Sequence, residues 1–132
     1  MAERPPRPAD ARVVFARRDG LLRCELFGDG GFAALLACWQ AIATEAARSG
    51  AREVLVLDRL QGDSIGPALQ QRLVGSMVGQ GLEGVRVAYV ARREIGFGAV
   101  EHAEILAREG GFDVRVFDGE SEAVVWLRHG LR

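Results

Sequence analysis

The sequence predicts one mixed α/β domain, a five-stranded sheet with helices packed on it in the order ββαβαβαβα. Three observations carry the prediction. Two β-rich runs flank Arg18-Asp19-Gly20, a hairpin signal. Three later strand-like runs, "EVLVLD", "VRVAYVAR" and "FDVRVF", each follow a helix-length amphipathic stretch. Strands separated by ten or more helical residues call for right-handed crossovers and parallel pairing. The hairpin then leaves one antiparallel edge.

Taken in order, Val13 to Arg17 is β-rich, and Leu22, Cys24 and Leu26 alternate with Arg23 and Glu25 in the period of a half-buried strand. "GFAALLACWQAIATEAARSG" is the clearest helix, with Phe32, Leu35, Leu36, Trp39, Ile42, Ala43 and Ala46 on one stripe. Asp29 is its expected cap and Gly50 its C′ residue, with Trp39 expected in the core. "EVLVLD" has no polar break before Asp58, as suits a central strand covered on both faces. In "PALQQRLVGSMVGQG", Leu69, Leu73 and Met77 recur every four residues beside Val74 and Val78, and Pro67 suits the first turn. In "GFGAVEHAEILAREGG" the stripe is Phe97, Val100, Ala103 and Leu106 or Ala107. The last helix lies in "DGESEAVVWLRHGLR", with Asp118 or Ser121 as cap and Glu120 and Glu122 near its positive end.

At 132 residues the chain is long enough to bury roughly two-thirds of its open-chain surface in one core. The expected division is a flexible tail over 1–11 and one domain over 12–132. The opening "MAERPPRPAD" has no apolar stretch of the kind a secretory signal needs. No apolar run approaches the ~20 residues of a membrane span. With a net charge of −1, neither a nucleic acid nor an anionic membrane surface is an expected partner. All 17 basic residues are Arg, so Schiff-base and P-loop lysine chemistry is excluded. The abundance of Ala, Gly and Arg suggests a GC-rich, bacterial genome. Cys24 and Cys38 have no metal-ligand spacing and read as buried thiols in a reducing cytoplasm. No cofactor and no metal is expected.

The closing "VRVFDGESEAVVWLRHGL" resembles the SpoIIAA-like branch of the STAS family, the STAS/SEC14 proteins. These end in a strand, an acidic turn, an Ala and a Trp-Leu pair, here Val114 to Phe117, Asp118 to Glu122, Ala123 and Trp126-Leu127. "VRVAYVARREIGFGAVEHAEIL" resembles the same family's penultimate strand and helix, and the likeness spans roughly residues 12 to 130. The resemblance implies a STAS-like fold and a cytoplasmic regulatory or protein-binding role. In STAS antagonists a strand ending in Leu-Asp leads to Asp-Ser-Ser-Gly at a helix start, where a serine is phosphorylated. Leu57-Asp58 and Asp63-Ser64-Ile65-Gly66 stand in that place, with Ile65 for the second serine and Pro67 after the glycine. The Sec14-like kinship implies an apolar ligand, a lipid or fatty acid, as the alternative.

Three kinds of site follow. Asp58, Asp63 and Ser64 are the candidate contact rim. A phosphate at Ser64 would meet a helix N-terminus, with Arg59 or Arg72 to pair with it. The simpler account, favoured because caps are common, is that Asp58 ends a strand and Asp63 or Ser64 caps a helix. Met77, Val78, Ile95 and Phe97 are the candidate apolar groove between the second and third helices, in a space of a few hundred Å³; ordinary core is again the simpler account. For an enzyme, His102 and His129 would have to converge with a nucleophile and a carboxylate, and no motif marks one. "GDGG" and "GFG" lack nucleotide-loop spacing. A non-catalytic binding module is therefore expected.

Overall fold

Asp19 and Gly20, with φ of 54° and 82°, turn the chain back so that β1 (Arg12–Arg18) pairs antiparallel with β2 (Leu21–Phe27), Arg18 opposite Leu21. Positive φ at both central residues matches the right-handed twist of a hairpin. The remaining elements are α1 (Phe32–Ser49), β3 (Glu53–Asp58), α2 (Pro67–Met77), β4 (Arg86–Val90), α3 (Phe97–Glu109), β5 (Asp113–Phe117) and α4 (Glu120–His129). The structure is a computed structural model that describes residues 11–62, 65–92 and 97–130. Of the expected tail, only Ala11 is described, and it packs against the core. The strands lie in the order β1-β2-β3-β4-β5, parallel from β2 onward. This is the α/β class the patterning implies, with a mixed five-stranded sheet and four helices.

Period two sorts the strand side chains between two cores. Leu22, Cys24, Leu26, Val54, Val56 and Val87 belong to a cluster with Ile42, Ala43 and Ala46 of α1 and Met77 of α2. Leu21, Leu55, Leu57 and Ala88 point the other way and pack against Ala123, Trp126 and Leu127 of α4. β3 is covered on both faces, which accounts for its unbroken apolar run. On the α4 side, Arg86 lies 5.1 Å over the Trp126 ring. Arg128 donates to the carbonyls of Arg18 and Asp19, tying the last helix to the hairpin turn.

The outer edge of β5 is not bare. The Val116 N–H donates to Glu104 Oε1 at 3.0 Å, and Arg108 Nε donates to the Val114 carbonyl at 3.2 Å. Glu104 and Arg108, one turn apart on α3, also pair at 3.7 Å. Two side chains thus occupy backbone groups that would otherwise recruit another strand.

Three local expectations are corrected. Asp29 does not cap α1; Gly31 stands at the N-cap and no side chain bonds there. Instead residues 28–30 run beside 59–61, with Gly30 N–H donating to the Gln61 carbonyl at 2.7 Å and Gln61 N–H to that of Gly28 at 2.8 Å. This backbone pairing holds Asp29 outside the helix. Neither Asp118 nor Ser121 caps α4, because Gly119 takes that position in extended backbone and Ser121 lies inside the helix. Finally, α2 stops at Met77. Gly79 and Gly81 have positive φ, and Glu83 Oε2 accepts from the Gly79 N–H at 2.8 Å. Val78 therefore leaves the helix and is 54% exposed, while Leu82 takes the next buried place.

Candidate functional site

Strand parity decides which polar groups meet. Val54 and Val56 face α1, so Asp58, two residues beyond Val56, faces the same side. The register sets Val56 beside Tyr89, which brings the Tyr89 hydroxyl within reach of the Asp58 carboxylate. Tyr89 donates to Asp58 Oδ2, and the Leu60 N–H donates to Oδ1 at 2.9 Å. Arg92 Nε lies 3.8 Å from Oδ1, with both side chains almost wholly buried. Arg92 Nη1 also donates to the carbonyls of Leu60 and Gly62, at 2.8 and 2.9 Å. One arginine thus clamps the strand end and the loop after it.

These groups stand at the polar end of an apolar cavity of about 160 Å³. Its roof is α1, α2 and α3, with Leu35, Trp39, Leu73, Val74, Ala103 and Ala107 among the lining residues. Its floor is the sheet, with Val87, Tyr89, Val114 and Val116. The Trp39 and Tyr89 rings are tilted at 36°, with centroids 6.2 Å apart. Tyr89 is only partly buried because its ring borders the cavity, whereas its phenol is desolvated. Burial, and then the Asp58 carboxylate, push that phenol well above its ordinary range. Burial first and Asp58 second push the Cys38 thiol up to about 11, and burial pushes Cys24 up to about 12. Both thiols are free and protonated at neutral pH, so neither supplies a nucleophile.

The candidate residues separate on this geometry. Asp58 does end a central strand, but it is 6% exposed and engaged by Tyr89, Leu60 and Arg92. Its place on a contact rim is corrected: parity turns it inward. Asp63, Ser64 and Ile95 lie outside the described residues, as does the side chain of Phe97. Met77 is buried and lines the cavity. Val78 does not, since the helix ends before it. Trp39, expected in the core, is partly exposed and forms cavity wall. The sequence reading missed Tyr89, Arg92 and Gln70. Tyr89 is the sole tyrosine, and its parity with Val87 was available; that it meets Asp58 depends on knowing that β3 and β4 are neighbours.

The described residues hold no group of three or more His, Cys, Asp or Glu able to bind a metal ion. Neither His102 nor His129 lines the cavity. No described helix is long and apolar enough to cross a membrane. The fold and cavity together define an α/β domain with a small, partly open apolar pocket and a buried Asp–Tyr–Arg cluster at one end. No family model and no curated protein matches the chain. Among solved structures, "NMR Structure of the protein TM1081" is similar with a TM-score of 0.45 and 15% identity, over 98% of this chain and 95% of that one.

Proposed function

We propose that this protein is a non-catalytic, cytoplasmic binding module of the SpoIIAA-like/STAS type whose ligand is a small apolar molecule held beneath α1, α2 and α3. The cavity carries the reading. Protein interiors are close-packed, with few voids larger than a water, and an apolar hole of about 150 Å³ is known to stay dry and take up benzene or xenon. At about 160 Å³ this one, partly open rather than sealed, fits a ring, and is smaller than the few hundred Å³ a lipid or fatty acid calls for. The family assignment is supported by the closing motif, whose Ala123, Trp126 and Leu127 are all buried against the sheet. A cytoplasmic setting is consistent with two free thiols. A non-catalytic role is consistent with a cluster whose carboxylate and phenol are bonded to each other.

The test is direct. The purified protein is titrated with toluene and followed by amide chemical shifts. Changes gathered at residues 35–39, 73–77 and 103–107, with saturation, support the reading. An unperturbed spectrum up to the solubility limit refutes it.

A second reading, a regulatory surface for a protein partner, is favoured by a polar concavity at the carboxyl ends of β3 to β5. It is lined by residues 57–61, 90–92 and 118–120. Beside it runs an ion-pair chain, Arg59–Glu25 at 3.2 Å, Glu25–Arg23 at 3.0 Å and Arg23–Glu120 at 3.1 Å. Ligand positions in open α/β sheets gather at such strand ends. Wild type, Ser64→Ala and Ser64→Asp compared by pull-down and thermal melt test it; identical partner profiles would remove the switch.

A further inference from the structure

The cavity wall also carries information about what it accepts. Gln70, on α2, donates through Nε2 to the Ala99 carbonyl at 3.4 Å, across the α2–α3 junction. A carbonyl only accepts, so this contact assigns the amide nitrogen to that side. The amide oxygen, Oε1, is buried and meets no donor among the described residues. Both Gln70 and Ala99 line the cavity. A buried acceptor left without a donor is unfavourable, and a ligand O–H or N–H removes that penalty. Oε1 itself has almost no open surface, so a guest reaches it when the amide turns about its soft terminal torsion, which also draws Nε2 from the Ala99 carbonyl.

The charges give the second constraint. Among the described residues, Asp58, Arg92 and Glu104 are the charged ones lining the cavity. Asp58 and Arg92 face each other at 3.8 Å. Glu104 holds the Val116 N–H and Arg108. Each of these three has an opposite charge beside it, so none of them is left over to neutralise an ionised guest stripped of water. Trp39, Tyr89 and Phe112 supply ring faces and edges to the same space, which favours an aromatic guest.

We infer that the cavity selects a neutral, single-ring molecule bearing one hydrogen-bond donor, with Gln70 Oε1 as the group that reads the donor. This rests on the apolar-ligand reading above and narrows it. It separates phenol from toluene, and both from benzoate and benzylamine, four probes of nearly one size.

The experiment measures dissociation constants for these four probes at pH 7 by amide chemical shifts, on wild type, Gln70→Leu and Gln70→Met. The ratio of phenol to toluene affinity is expected to fall about fivefold from wild type to either variant, the yield of one net hydrogen bond. Benzoate and benzylamine should not saturate. A fall in the phenol-to-toluene ratio, rather than a common loss of both probes, is a pattern that misfolding would not produce. A phenol-to-toluene ratio that survives both substitutions, or benzoate binding as tightly as phenol, would overturn the selectivity and leave the apolar-ligand reading standing. Failure of all four probes would overturn both. Ala103→Leu, which fills the chamber, should abolish phenol binding; retained affinity would place phenol elsewhere and refute the inference.

Discussion

Tyr89→Phe deletes one oxygen and nothing else, so its effect can be worked from the contacts. The lost group is the hydroxyl that donates to Asp58 Oδ2. The Asp58 side chain is 3% exposed, so water does not replace that donor. A hydrogen bond to a charged group contributes about 1.5–3 kcal/mol, and leaving the acceptor buried adds its desolvation to the loss. Part of this is offset, because Leu60 N–H and Arg92 still engage Oδ1. We expect a loss of about 2 kcal/mol, a fall in melting temperature of roughly 6–10 °C for a chain this size. Urea denaturation followed by circular dichroism reads it, with an unchanged slope showing that the unfolded state is unaffected. Asp58→Asn should cost more, since it also weakens the pairing with Arg92. The two changes should not add: a double-mutant cycle should return a coupling of at least about 1 kcal/mol. A loss under about 0.5 kcal/mol for Tyr89→Phe, or strict additivity, would refute the claim that this pair anchors the end of β3.

Stability should fall above pH 9. The Cys24 and Cys38 thiols ionise near 9.0 in the open chain but are held at about 12 and about 11 in the fold. Their contribution is full below pH 9 and is lost at up to about 1.4 kcal/mol per pH unit for each thiol as pH rises toward those values. Urea midpoints from pH 8 to 10.5 check this, and Cys24→Ala should flatten the slope. Glu104→Ala with Arg108→Ala uncovers the β5 edge, and concentration-dependent association in analytical ultracentrifugation should follow. Trp126→Ala should cost about 3–5 kcal/mol and Trp39→Ala clearly less, because Trp126 is sealed between α4 and the sheet while Trp39 borders the cavity; equal losses by denaturant titration would contradict the cavity.

How much of this was legible beforehand depends on the range of the forces involved. Element type was, because period two in β2 and the four-residue recurrence of α2 are local signals. The ends were less so. Glu83 reaching back to Gly79 ended α2 early, and the 28–30 and 59–61 backbone pairing overrode Asp29 as a cap. Both are side-chain or long-range effects that propensity does not contain. At the site, the strand run placed Asp58 at the end of β3 but not which way it faced in the assembled sheet. Counting by two from Val54 gives its face, yet only the β3–β4 register supplies Tyr89 as its partner. Gln70 carried no sequence signal, for a glutamine on an amphipathic helix is ordinary until its oxygen is found without a donor.

The division of the sheet into two faces has a consequence for synthesis. Three helices made in sequence close one face as each strand is laid down, whereas the other waits for α4 alone. A chain emerging from the ribosome therefore carries Leu55, Leu57 and Ala88 uncovered through most of its elongation. Only when residues 120–129 are free does Trp126 seal them and Arg128 reach the first hairpin, about 110 residues back. Until then the nascent sheet presents an apolar plane to anything that binds such planes. A ribosome stalled near Asp118 should hold a chaperone that one stalled well beyond the exit of α4 releases.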